Sequence, residues 1–464
     1  MWAQLSRLFW ANQGDKNTKY FHNCVTKRFR KKKIVRIKNE QHVWKYHSEE
    51  ISLVLTKYYE YLFSSARSDP SNGVLDHVPQ IITEEMNASL TCDFMECEVQ
   101  AALQQMAPLK APSLNEMPLI FFQYFWSTVD KDVTSSILSW LNSGTLPHPI
   151  NHTFITLISK TNNPEYVRQY RQISLYNVLY KIFSKVLANR LKNILSKIMT
   201  EHQSSFTKHR LISNNILVAF ETLHCMHKHN SDNIGFMAFK LNMSKAYDRV
   251  DWTLLEELIR KMGFNERFIT LTMICVKTVT YSILVNREPK GFIQPFKRIR
   301  QGNPLSPFLF LLCTEGLNGF IKHVEMNGDI HGFSLCRNGQ ELTHLLFVDD
   351  SLLFCRATEE ECGKVLNILE AYEGASGQKV NRSKTTLFFF SKSTSDAIKS
   401  NIKLALGVPK IAQYEKYLGL PSLVGKGKKA SFNYIKERVQ KKLEGWEGKL
   451  LSQVVREVLI KFVI

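Results

Sequence analysis

The sequence predicts an α+β fold. Stretches with apolar residues at i, i+3 and i+4 spacing alternate with short apolar runs of strand length. Two of those runs are separated by two acidic residues, the length of a tight hairpin turn. Helices and hairpins follow one another irregularly rather than as a regular βαβ array. With 464 residues, 44% hydrophobic and 22% charged, the chain is ample to bury a core, and its length suggests about three domains. That composition excludes widespread disorder, a collagen-like repeat and a disulfide scaffold.

In chain order, residues 1–30 read as helical, broken at Gly14-Asp15, and SSARSDPSNG (64–73) reads as a turn-rich linker. A helix is expected from Glu96 to Met106, then a loop, KAPSLNEMP (110–118), then a short strand from Phe154 to Ile158. Residues 174–198 give an amphipathic helix, with Phe183, Val186, Leu187, Leu191, Ile194, Leu195 and Ile198 on one stripe. Lys181, Lys185, Arg190, Lys192 and Lys197 fall mostly off that stripe, and the lysines are expected in solvent. Gly235 to Leu241 reads as a buried strand. Leu254, Leu255, Leu258, Ile259 and Met262 form a helix that Gly263 stops. Val279 to Val285 is a strand and Leu305 to Phe320 an apolar helix. Strands from Leu342 to Val348 and from Ser351 to Cys355 flank Asp349-Asp350. Val365 to Tyr372 is helical, and Thr385 to Phe390 is a strand.

The formal charge is +19, and it is unevenly spread. Residues 1–45 hold +10 and residues 416–464 hold +7, leaving +2 for the body. Such ends are either solvated helix faces or a surface that tracks phosphates; the dense run from Arg28 to Lys33 favours the second. The nine cysteines contain no CxxC pair, which leaves out zinc-ribbon and thioredoxin-type spacings and points to reduced thiols. The start lacks a signal-peptide pattern, and no run of 18 apolar residues exists, so no membrane span is expected. Residues 223–230 (LHCMHKHN) place His224 and His227 on one helix face beside Cys225 and His229. No second ligand pair accompanies them, and an exposed helix end is the plainer reading.

The segment HLLFVDDSLLF (344–354) puts two carboxylates together at a turn. Aspartate is common in turns for its own hydrogen bonding. Adjacent carboxylates also repel, and a divalent cation with oxygen ligands would offset that repulsion.

Other segments join it in a fixed order: GDKNTKYFH (14–22), KAPSLNEMP (110–118), YRQISLYNVLYKIFSKVLANRLK (170–192), KLNMSKAYDRVDW (240–252), RQGNPLSP (300–307), SGQKVNRSK (376–384) and KYLGLPSLVGKGKK (416–429). Together these resemble the reverse transcriptase of plant non-LTR (LINE-type) retrotransposons, most specifically over 150–425. The family's usual forms are close to YRPISL, KLDMSKAYDRV, RQGDPLSP, FADD, SGQxIN and YLGLPSLVG.

The resemblance implies a right-hand polymerase with fingers, palm and a truncated thumb. A basic helical extension and linker would occupy 1–85, the reverse transcriptase domain 86–425 and the start of the thumb 426–464. It implies RNA-directed DNA polymerisation, with an RNA template, a DNA primer and deoxynucleoside triphosphates as partners. Two Mg²⁺ ions, or Mn²⁺ in their place, would serve as cofactors. Asp349 matches a metal ligand and Asp350 its acidic neighbour. Tyr247 matches the aromatic gate that excludes a 2′-hydroxyl. Gln301 and Gly302 match a loop beside the template and incoming nucleotide. Lys160 and Arg171 match basic positions facing the triphosphate, and Lys384 matches a lysine that protonates the leaving pyrophosphate. A site inside the cell, in nucleus or cytoplasm, is expected.

Departures from the pattern accompany the matches. Asn242 stands at the first catalytic aspartate position, so one charged metal ligand is lost and activity is expected to be impaired. Asp248 lies beyond the strand end and is not expected to replace it. Asn303 and Asn214 also stand for aspartates, Gln172 for proline and His209 for glycine. Ser113, Leu114, Asn115 and Glu116 replace a Gly-Pro-Asp-Gly turn. No segment reads as the endonuclease that precedes this region in the family. The stripe Leu451, Val454, Val455, Val458, Leu459 and Phe462 reads as a cut thumb helix with an exposed apolar face. The alternatives are a non-catalytic nucleic-acid-binding relic, an unstable pseudogene product without function, and a domesticated interaction protein.

Overall fold

The computed structural model describes residue 26 and residues 33–64, 73–108, 117–228, 235–336, 339–389, 394–407, 416–421 and 428–443. The helix expected over 1–30, nearly all of the 64–73 linker, the KAPSLNE turn, His229 and the C-terminal stripe lie outside those residues. In chain order the elements used below are α1 (Ser48–Phe63), α2 (Glu96–Gln104), β1 (His152–Ser159), β2 (Tyr170–Tyr176), α3 (Val178–Ile198), α4 (Ile212–Lys228), β3 (Phe236–Asn242), α5 (Trp252–Lys261), β4 (Thr280–Val285), β5 (Glu288–Ile293), α6 (Ser306–Met326), β6 (His344–Phe347), β7 (Asp350–Arg356), α7 (Glu359–Ser376) and β8 (Thr386–Phe389). Helices and mostly antiparallel sheets of this kind make an α+β protein, as the sequence predicts. The described residues fall in two compact units: those of 1–210, 242–329 and 364–381, and those of 211–241, 330–363 and 382–464.

The larger unit holds a four-stranded sheet of order β2-β1-β4-β5. β1 and β2 form a long antiparallel ladder from Thr153↔Tyr176 to Ser159↔Tyr170. β4 joins β1 in parallel. The apolar stripe of α3 is buried as its spacing requires, but the helix begins later than expected. Residues 174–176 belong to β2, and the Asn177 side chain accepts from Leu179 N (2.9 Å), capping the helix there. Arg190 lies off the apolar stripe and yet is not at the surface. It is buried, pairs in bidentate fashion through Nε and Nη2 with Glu98 (2.8 and 2.7 Å) and donates to the carbonyls of Leu90, Cys92 and Asp93. Its guanidinium also lies 3.6 Å from the Phe94 ring centroid. Helix α2 covers that side of α3, so a face that reads as polar is an interior face.

Helix α5 starts where Asp251 accepts from the amides of Thr253 and Leu254, and it stops before Gly263, whose φ of +94° suits glycine. Helix α6 runs six residues past the expected end and is buried on nearly every face, as an apolar helix should be.

The smaller unit is built on a sheet of order β6-β7-β3-β8. β3 is internal to it, which explains its nearly continuous apolar run. Among the described residues, no helix is long and apolar enough to cross a membrane.

Candidate active site

The acidic pair lies on the β6–β7 hairpin, in the smaller unit. Its tip differs from the expected one. Phe347 pairs with Asp350, so the two turn residues are Val348 and Asp349, and Asp350 is the first residue of β7. Leu342 is not part of β6; it pairs with Phe333 in a separate short ladder. Val348 holds φ at +54°, a left-handed conformation rare for a β-branched residue. Burial pushes the Asp349 carboxyl up, the Asp350 charge pushes it further, and Lys384 pulls it back. Lys384 is exposed, in the turn before β8. Asp349, Asp350 and Lys384 are thus brought within electrostatic reach of one another.

Two residues that the sequence left without a role brace this hairpin. The Tyr417 hydroxyl donates to Asn215 Oδ1 (2.8 Å), and Asn215 Nδ2 donates to the Leu346 carbonyl of β6 (3.2 Å). Both are buried. Tyr417 sits in the YLGLPSLVG motif and Asn215 directly follows Asn214, so the signal was a motif without an assigned function.

The remaining candidates lie in the larger unit. Asn242 is the last residue of β3, and its carbonyl accepts from Asn381 N (2.8 Å). Tyr247 is half-buried and stacks on Phe310, ring centroids 5.0 Å apart and 11° from parallel. Its carbonyl accepts from Ile299 N, two residues before Gln301. The Gly302 carbonyl accepts from the Tyr176 hydroxyl (2.7 Å), and Gly302 has φ +88°. Lys160 and Arg171 are both exposed near the end of the β1–β2 ladder that the 160–169 connection closes, where Arg171 pairs with Ile158. Lys160 Nζ donates to the Arg168 carbonyl (3.1 Å).

Asp248 is a buried structural acid. It lies 3.4 Å from Arg298, accepts from Gln172, and burial pushes its carboxyl up. Arg298 lies over the adjacent rings of Phe63 and Tyr281, at 4.5 and 4.6 Å. Lys245, held to the Tyr58 hydroxyl and lying 4.5 Å from its ring centroid, has its pKa pulled down by burial to about 8.

The departures are unequal in consequence. Gln172 serves Asp248 with a donor that proline lacks. Asn303 Nδ2 donates to the Tyr180 hydroxyl (2.8 Å) while Oδ1 accepts from Leu305 N (3.0 Å), so the amide uses both ends where a carboxylate could only accept. His209 keeps the positive φ (+65°) that suits glycine. Asn214 is exposed. His224 is half-buried and stacks near Phe220, and among the described residues no cluster of three or more His, Cys, Asp or Glu could hold a metal. The residues present suit a cation in another way. Two adjacent carboxylates, one raised by burial and by its neighbour's charge, match the donor set of Mg²⁺, which takes one or two carboxylates and completes its shell from substrate phosphates.

The family model for reverse transcriptase (RNA-dependent DNA polymerase) matches residues 158–434, more than half of the chain. The chain belongs to the reverse transcriptase family. It is 24% identical over 452 residues to a Xenopus laevis protein named Transposon TX1 uncharacterized 149 kDa protein, covering 96% of this chain and 34% of that one. It is 26% identical over 174 residues to the Drosophila melanogaster retrovirus-related Pol polyprotein from type-2 retrotransposable element R2DM, covering 38% of this chain and 16% of that polyprotein. An uncharacterized mitochondrial protein of Arabidopsis thaliana is 41% identical over 68 residues, 15% of this chain and 56% of its own. The chain therefore spans about a third of the Xenopus protein, and the relatives it resembles carry the names of transposons and retrotransposable elements.

Proposed function

We propose that this chain is the polymerase part of a LINE-type element, adding deoxynucleotides to a DNA 3′ end on an RNA template, and that Asn242 impairs it. The observation that carries the reading is the Asp349–Asp350 pair on the β6–β7 hairpin, in a sheet whose strand β3 ends at Asn242. Fingers and palm would occupy 86–425, with the thumb beginning at 426 and a basic extension at 1–85. Asp349 and Asp350 would hold Mg²⁺, which when bound stabilises negative charge on the transferring phosphate and on the attacking 3′ oxygen. The chain's own residues do the rest. Tyr247, backed by Phe310, presents a flat wall that a 2′-hydroxyl would strike. Gly302 and Gln301 shape the loop beside the template. Lys160 and Arg171 offer exposed positive charge to the triphosphate, and Lys384 offers a proton to the leaving pyrophosphate. Asn242 supplies an amide oxygen but no charge.

Primer extension on an RNA template with Mg²⁺ or Mn²⁺ tests both parts. The wild type is expected to run at least about 100-fold slower than Asn242→Asp, the scale a lost charge-stabilising group costs. Equal rates overturn the impairment, and no extension by either protein overturns the polymerase reading. Asn242 also favours a second reading, a nucleic-acid binder without chemistry; it predicts hybrid binding with no extension by either protein.

A further inference from the structure

A cavity of about 440 Å³ opens in the larger unit between α6, the end of α3 and the segment following Leu75–His77. Its walls are largely apolar, with Val78, Pro79, Ile81, Ile198 and Met262 contributing. Glu315, only 6% exposed, lines it too. Glu315 Oε1 accepts from the Thr200 amide and hydroxyl (3.4 and 3.3 Å), and Oε2 accepts from Asn318 (3.1 Å). Those donors are neutral. Among the described residues Glu315 makes no ion pair, and a buried carboxylate without a cation is costly. Burial accordingly pushes its carboxyl up to about 7, while Lys322 and Arg210 act on it only from farther off.

We infer that this cavity is a binding site for a small organic cation, an amine or amidine on an apolar body, with its charged head on Glu315. The volume lies within the ordinary range of small-molecule sites. His77 supplies an aromatic wall at the rim, stacked between His323 (3.9 Å) and Phe320 (5.3 Å). Burial and His323 both push the His77 pKa down, so it does not compete as a cation. Asp76 adds a second negative charge to the lining. The wall is preformed: a Cβ at Gly319 would meet the His77 carbonyl at 2.5 Å, so only glycine lets this segment approach α6 so closely. A metal ion does not fit instead, since no three ligating side chains converge among the described residues. None of the lining residues is among the polymerase candidates.

Benzamidine titrated into the full chain by calorimetry tests the inference, with benzyl alcohol as the uncharged comparator. At about pH 8, saturable benzamidine binding is expected, weakened at least ~10-fold in Glu315→Gln. Lys322→Glu, at the half-buried edge, should tighten it. Lowering the pH to about 5.5 should weaken binding as the carboxyl takes up its proton, and Glu315→Gln should lose that part of the dependence. The inference is overturned by no saturable binding, by benzyl alcohol binding equally well, or by Glu315→Gln binding as tightly as the wild type. If Glu315→Gln does not fold, the Lys322→Glu and benzyl alcohol arms decide.

Discussion

Val348 carries strain at the tip of the acidic hairpin. Its φ of +54° suits asparagine or glycine, and a β-branched residue there costs about 1–3 kcal/mol. Val348→Asn should therefore raise stability by about 1 kcal/mol in urea unfolding, whereas Val348→Thr should not. Strain kept beside two carboxylates fits a turn shaped for placing Asp349 rather than for stability. Alone, two acids at a turn also have an ordinary structural use, but the pair itself was legible in the sequence because the other motifs accompany it in a fixed order. Which acid occupies the turn was not, since a one-residue register choice depends on the ladder Phe347↔Asp350. Asn215 and Tyr417 were illegible as partners, because their hydrogen bond joins residues 202 apart in sequence.

Helix α3 shows what a periodic pattern does and does not determine at the scale of one element. Its stripe named the buried residues correctly. The opposite face held Arg190, and nothing in a helical spacing says whether a second helix covers it. Arg190→Ala would leave Glu98 and three carbonyls without their partner, and it is expected to cost about 4 kcal/mol in equilibrium unfolding. Arg190→Lys should recover less than half of that, because an ammonium cannot reproduce the planar bidentate pairing. A double-mutant cycle with Glu98→Gln should show strong coupling; additive effects would mean that the carbonyls, not the ion pair, hold this contact. Strand β3 was easier to read, since an internal strand buries both faces and shows it in composition.

The charge of +19 belongs to the whole molecule, and most of it lies in the first 45 and last 49 residues. Binding to an RNA–DNA hybrid should fall at least ~1000-fold between about 50 and 200 mM salt in a gel-shift series. Neutralising Arg28, Arg30, Lys31, Lys32 and Lys33 together should reduce the log–log slope by about 4. An unchanged slope would place the phosphate contacts elsewhere. The amino-acid order by itself determined the fold class, the family and the acidic hairpin, because periodicity and ordered motifs are local and survive without coordinates. The tertiary structure alone decided that Arg190 and Glu315 are interior charges, that Asp248 belongs to Arg298, and that Asn303 and Gln172 have structural partners of their own. Each of those depends on which surfaces meet after distant segments pack, and burial, not residue type, sets whether a charge is solvated or must find a partner.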